Sequence, residues 1–137
     1  MIAKYIWIFG SLIFTVLGTL HLVGILFTDK FLPGDKKLID DLKSASTNLS
    51  KHTNMWSGWI GFNTSHSAGL MFIGIVNIYL SSKYFALMQT DNLFFIFNIL
   101  TVGFYVWIAK KYWFKIPQTG IIITFICFVV SYILTLL

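Results

Sequence analysis

Two of the three histidines in this sequence, His21 and His66, fall in stretches that carry almost no charge. A histidine can hydrogen-bond, shuttle a proton or ligate a metal, and an ionisable side chain within lipid is by default a candidate functional residue. Around His66 runs the densest polar cluster of the chain, Trp56-Ser57-Gly58-Trp59-Ile60-Gly61-Phe62-Asn63-Thr64-Ser65-His66-Ser67-Ala68-Gly69. Helical spacing puts Asn63, His66 and Ser67 on one side, with Phe62 and Gly69 flanking His66. His21 has Gly18 and Gly24 one turn to either side, which would let another helix or a flat ligand approach the backbone closely. The candidate site is therefore His21, Asn63, His66 and Ser67.

Three chemistries fit these residue types. A b-type haem would take axial nitrogens from His21 and His66, with the glycines giving the macrocycle room. A metal ion would use His21, His66 and His52, although no cysteine or intramembrane carboxylate stands nearby to complete a tetrahedral set. Acid–base or nucleophilic catalysis would use His66 with Ser65, Ser67 or Tyr105. It lacks an acidic orienting partner in the apolar runs, with Asp29 only a distant helper, so an enzyme is the least supported reading and catalytic residues are unassigned. Packing alone competes with all three. Gly61, Ser65 and Gly69 form a small-xxx-small series, and Asn, Ser and His often hydrogen-bond between membrane helices.

The elements that must position these residues follow from composition. The chain has 137 residues, 57% hydrophobic, 18% aromatic and only 11% charged, too little charge to cover a soluble fold. Four apolar runs stand out, Tyr5 to Phe27, Trp59 to Leu80, Leu93 to Ala109 and Ile116 to Leu137. Each is long enough, at about 1.5 Å rise per residue, to span the hydrocarbon layer. Continuous apolar runs lack the alternation of barrel strands, so the spans are helices. The expected fold is all-α, a single transmembrane domain over 1–137 formed as an up-down four-helix bundle. The first run is too long for a signal peptide and lacks a cleavage site, so it reads as a retained helix. His21 lies six residues before Phe27 and His66 seven after Trp59, which places both about 9 to 10 Å below the same membrane face.

Charge sets the orientation. There are ten lysines, five aspartates, and neither arginine nor glutamate. Lys30, Lys36, Lys37, Lys43, Lys51, Lys110, Lys111 and Lys115 fall on one side of the four spans, against Lys4 and Lys83 on the other. The positive-inside rule then puts the long first loop in the cytoplasm and both termini in the periplasm. Trp7, Trp56, Trp59, Trp107 and Trp113 lie near span ends, where interfacial anchors belong. Within the long loop Asp35 is a plausible N-cap. Leu38, Leu42, Ala45, Leu49, His52 and Trp56 then recur at alternating spacings of four and three, an amphipathic stripe suited to the membrane surface. The weak helix formers Ser44 to Asn48 interrupt it. Cys127 is the single cysteine and reads as a small buried hydrophobe. No basic soluble surface exists to present to nucleic acid.

The segments Gly18-Thr19-Leu20-His21-Leu22 and Trp59-Ile60-Gly61-Phe62-Asn63-Thr64-Ser65-His66-Ser67-Ala68-Gly69 resemble a group of small, uncharacterised bacterial four-helix membrane proteins. The resemblance implies the four-helix form and a bacterial inner membrane, and it carries no activity. The functional expectation is binding of a small ligand, haem or metal at the intramembrane His/Asn/Ser site. The alternative is a non-catalytic accessory subunit, associating with a larger membrane complex or with itself through its glycine-rich faces.

Overall fold

The computed structural model describes residues 1–48 and 50–137. Its helices are α1 (Ile2–Phe27), α2 (Lys36–Ser44), α3 (Met55–Met88), α4 (Asn92–Tyr112) and α5 (Lys115–Leu136). Four of them, α1, α3, α4 and α5, are long and apolar enough to cross a membrane, and the chain is a helical integral membrane protein on that ground.

The helices outrun the apolar runs that announce them. α3 continues through Ser81–Met88, where the sequence places a loop, because that segment loses its apolarity but contains no Gly or Pro to stop a helix. It bends instead at Tyr84, whose φ of −130° and ψ of 24° leave the helical range. Only Gln89, Thr90 and Asp91 separate α3 from α4, and Asp91 caps α4 by accepting from the Leu93 N–H at 2.9 Å. The last connection shortens likewise to Trp113 and Phe114.

The chain divides into two compact units, Met1–Leu17 with Leu70–Leu137, and Gly18–Gly69. The first unit buries polar as well as apolar residues and turns further apolar residues outward. Trp7, Phe14, Phe95, Val102, Ile121 and Phe128 are fully buried, but so are Ser11, Ser81, Thr124 and Ser131. On α4, Leu93, Phe97, Leu100, Phe104 and Trp107 form an exposed apolar stripe at helical spacing, each more than half exposed. Such a surface suits lipid, where exposed hydrocarbon costs nothing and every polar group needs a partner within the protein. Most of those partners are present, the Ser81 hydroxyl being the exception in this unit among the described residues. Ser131 donates to the Ala3 carbonyl at 2.7 Å, and Thr124 to the Gly10 carbonyl at 3.2 Å. The Trp7 Nε1–H donates to Asn77 Oδ1 at 2.9 Å, and Asn77 Nδ2 donates on to Asn98 Oδ1 at 2.8 Å. Trp7 is thus an interior residue, not an interfacial anchor. Its ring stacks on Phe128 at 3.9 Å, and its one polar atom is satisfied without reaching a headgroup.

In the second unit the loop helix ends earlier than its stripe. Asp35 caps α2 as expected, accepting from the Lys37 N–H at 2.9 Å, but the helix closes at Ser44, with Ala45 in extended backbone. Ser46 then pairs with Asn54 in an isolated bridge, and Thr47 and Ser50 tie the turn between them through the Thr47 hydroxyl. Hydroxyls that bond locally to backbone compete with helix, which is why the periodicity fails here. His52 and Trp56 accordingly leave the α2 stripe, and Leu49 lies outside the described residues.

Candidate functional site

The second unit brings together the second half of α1 and the beginning of α3, and with them the two membrane histidines. The His21 and His66 rings meet edge to face with centroids 5.9 Å apart. Asn63, one turn before His66, places Oδ1 3.1 Å from His21 Nε2, and its Nδ2 donates to the Trp59 carbonyl at 2.8 Å. Because the amide nitrogen is committed to its own helix, Oδ1 is the atom turned to His21, and as an acceptor it selects the tautomer with hydrogen on Nε2. The neutral His21 ring then carries its lone pair on Nδ1.

Ser67 does not join this pair. It is fully buried, but its hydroxyl donates to the Asn63 carbonyl at 2.8 Å, the usual bond of a serine to the preceding turn of its own helix. It tightens the turn that carries Asn63. His52 is exposed in the turn after α2, its backbone N–H held by Ser50 Oγ at 3.1 Å. Among the described residues no three His, Cys, Asp or Glu side chains gather as a metal site, so the set of His21, His66 and His52 is not assembled.

The space beside His21 is filled by a residue that spacing could not have pointed to. Phe31, from the loop after α1, packs its ring edge onto His21 at 4.8 Å. A side chain at Gly24 would collide with the same phenyl ring. The flat group admitted by the Gly24 notch is therefore this chain's own Phe31. A second residue without a sequence signal is Thr64, beside Asn63. Among the described residues of Gly18–Gly69, its Oγ1 is the one buried side-chain oxygen or nitrogen without a hydrogen-bond partner. Since a threonine hydroxyl in a helix ordinarily bonds back to the preceding turn, nothing in the sequence marks this one as different.

Ser65, the middle of the small-residue series, donates to the Phe62 carbonyl at 3.0 Å and is exposed. The glycines on either side of it, Gly61 and Gly69, have nothing within 4 Å of where a Cβ would stand. Among the described residues, the two glycines of this series therefore make no close helix contact.

No protein-family model matches the chain, and neither a curated protein nor a solved structure is similar to it.

Proposed function

We propose that this is a small polytopic protein of a bacterial inner membrane that binds a small organic ligand at His21, Asn63 and His66. The observation that carries the reading is the bond between His21 and Asn63 beside the His66 ring, 5.9 Å away, in a helix pair where histidine has no solvent to satisfy it. His21 Nδ1, left as an acceptor by the bond to Asn63, suits a ligand with a hydroxyl head on an apolar body, such as a quinol or a lipid alcohol. Haem is less well served, because ligation through His21 Nε2 breaks the bond to Asn63. A metal ion would find no third His, Cys, Asp or Glu beside the two histidines among the described residues.

The supporting topology is an up-down bundle. Within the first unit, contacts along α1 run in order against falling positions on α5, from Ala3 with Ser131 to Gly10 with Thr124. The α1–α3 contacts run the same way, from Lys4 with Ser82 to Trp7 with Asn77. This order fits antiparallel neighbours, and lysine counting then favours a cytoplasmic long loop with α2 lying along the membrane surface.

The test is a thermal-shift screen of the purified protein against quinols and lipid alcohols, with an absorption spectrum and elemental analysis of the same preparation. A stabilising hydroxyl ligand whose effect vanishes in His21→Ala and His66→Ala supports the reading. A Soret band or a stoichiometric metal lost in both variants replaces the organic ligand with that cofactor. Equal stabilisation of wild type and variants overturns the site.

A second reading is favoured by the open space at Gly61 and Gly69. A non-catalytic subunit would use this face to admit a helix of a larger membrane complex or of a second copy. Under that reading Gly61→Leu abolishes co-purification with the partner and leaves the isolated protein folded.

A further inference from the structure

The lysines of the chain are not distributed like its acids. Around α2, Lys30, Lys36, Lys37, Lys43 and Lys51 are interleaved with Asp29, Asp35, Asp40 and Asp41, so the long loop is nearly neutral. After Asp91 the chain has no acid at all, yet Lys110, Lys111 and Lys115 fall within six positions of one another. They sit in the last turn of α4 and at the first residue of α5, and all three are exposed. Asp91 caps the opposite end of α4, about 30 Å away by helical rise. The α4–α5 turn thus carries three lysines and no acid of its own.

Aromatic rings surround it. Trp107, Tyr112 and Phe114 are each more than half exposed. The Lys111 Nζ stands 5.7 Å from the Trp107 ring centroid and 5.2 Å from that of Tyr112, a cation held against two ring faces. The turn joins two helices that are each long and apolar enough to cross a membrane, so it lies at a membrane surface. There, exposed Trp and Tyr mark the headgroup level and lysines reach outward to phosphate. Lysines at a helix C-terminus also favour the helix dipole, but that role needs no lipid of any particular charge.

From this we infer that the α4–α5 turn is a binding site for an anionic phospholipid, with Lys110, Lys111 and Lys115 taking the phosphate-bearing headgroup and Trp107, Tyr112 and Phe114 flanking the upper acyl chains. The ligand is the membrane-embedded lipid, because the exposed rings beside the lysines, two of them against Lys111, match a molecule with an apolar continuation below its charge. The inference is independent of the histidine site.

Native mass spectrometry of the full-length protein, released from nanodiscs of mixed phosphatidylglycerol and phosphatidylcholine, reads the preference directly. Wild type is expected to retain phosphatidylglycerol selectively. The preference should fall about fivefold for each lysine replaced by glutamine, and on the order of a hundredfold in Lys110→Gln/Lys111→Gln/Lys115→Gln. The control Lys36→Gln/Lys37→Gln/Lys43→Gln should keep it. Because the three residues are exposed, the single variants Lys110→Gln and Lys115→Gln retain the fold and give a graded loss even if the triple variant does not express. Equal retention of the two lipids by wild type overturns the site, as does an unchanged preference in the triple variant. Displacement of phosphatidylglycerol by inorganic phosphate would make the turn a soluble-anion site and would equally reject the lipid.

Discussion

The Oδ1 of Asn63 meets His21 Nε2 at 3.1 Å while the Nδ2 of the same amide is tied to the Trp59 carbonyl. This two-sided commitment makes Asn63 a positioning residue, since an amide free to turn would offer His21 either a donor or an acceptor. In wild type, 15N spectroscopy of labelled histidine should therefore find His21 with hydrogen on Nε2. In Asn63→Ala the signal should move toward a mixture of tautomers, at a stability cost of about 0.6 to 1.7 kcal/mol, the range for hydrogen bonds between membrane helices. An unchanged tautomer in the variant would show that something other than Asn63 sets it.

Two glycines on α3 should respond oppositely to the same substitution. A Cβ at Gly74 would run into the Thr15 side chain and, at 2.8 and 2.9 Å, into the backbone oxygen of Ser11 and nitrogen of Thr15, atoms that move only if α1 moves. Gly74→Ala is expected to cost about 1 to 3 kcal/mol in detergent unfolding. Gly61→Ala meets nothing within 4 Å and should be neutral or slightly stabilising, because alanine is the better helix former by about 1 kcal/mol. Loss of fold in Gly61→Ala would mean that this face packs against the chain after all.

The spans and the histidine pair are legible in the sequence because both rest on helical geometry, its rise and its period. Run length marks the four membrane helices, and the spacing of Asn63 and His66 together with matched depth brings His21 level with them. What escapes notice depends on contacts without a period. Phe31 reaches the Gly24 notch from a loop, and Trp7 turns inward because Asn77, seventy residues away, offers an acceptor. Ser67 belongs to the polar face by spacing and yet spends its proton on its own helix, a choice that spacing cannot encode. Helix ends are misplaced where polarity rises without a stop signal, as at Ser81–Met88.

The relay from Trp7 to Asn77 to Asn98 predicts non-additive losses. Asn77 accepts from Trp7 and donates to Asn98, so Asn77→Leu strands a buried N–H and a buried carbonyl oxygen at once. It should cost more than Asn98→Leu, which leaves Asn77 its bonds to Trp7 and to the Ile73 carbonyl. Each unsatisfied group is worth about 1 to 3 kcal/mol, and the double variant should fall short of the sum of the singles. Additive losses would indicate that the two amides act independently.

Lysine placement predicts the orientation, and moving the lysines should reverse it. With Lys30, Lys36, Lys37, Lys43, Lys51, Lys110, Lys111 and Lys115 near one set of helix ends and only Lys4 and Lys83 near the other, a reporter fused after Leu137 should read as periplasmic. One inserted beside Lys43 should read as cytoplasmic. The long loop is nearly neutral in net charge, but the rule counts lysines and gives little weight to aspartates, so neutralising Asp35, Asp40 and Asp41 should leave the result unchanged. Replacing Lys110, Lys111 and Lys115 while adding lysines beside Lys4 should weaken the bias or invert it. If the Leu137 reporter reads as cytoplasmic in the wild-type chain, the topology is reversed. The histidine pair then opens toward the periplasmic leaflet, because its place near the long-loop ends of α1 and α3 is fixed by the chain whichever way the protein inserts.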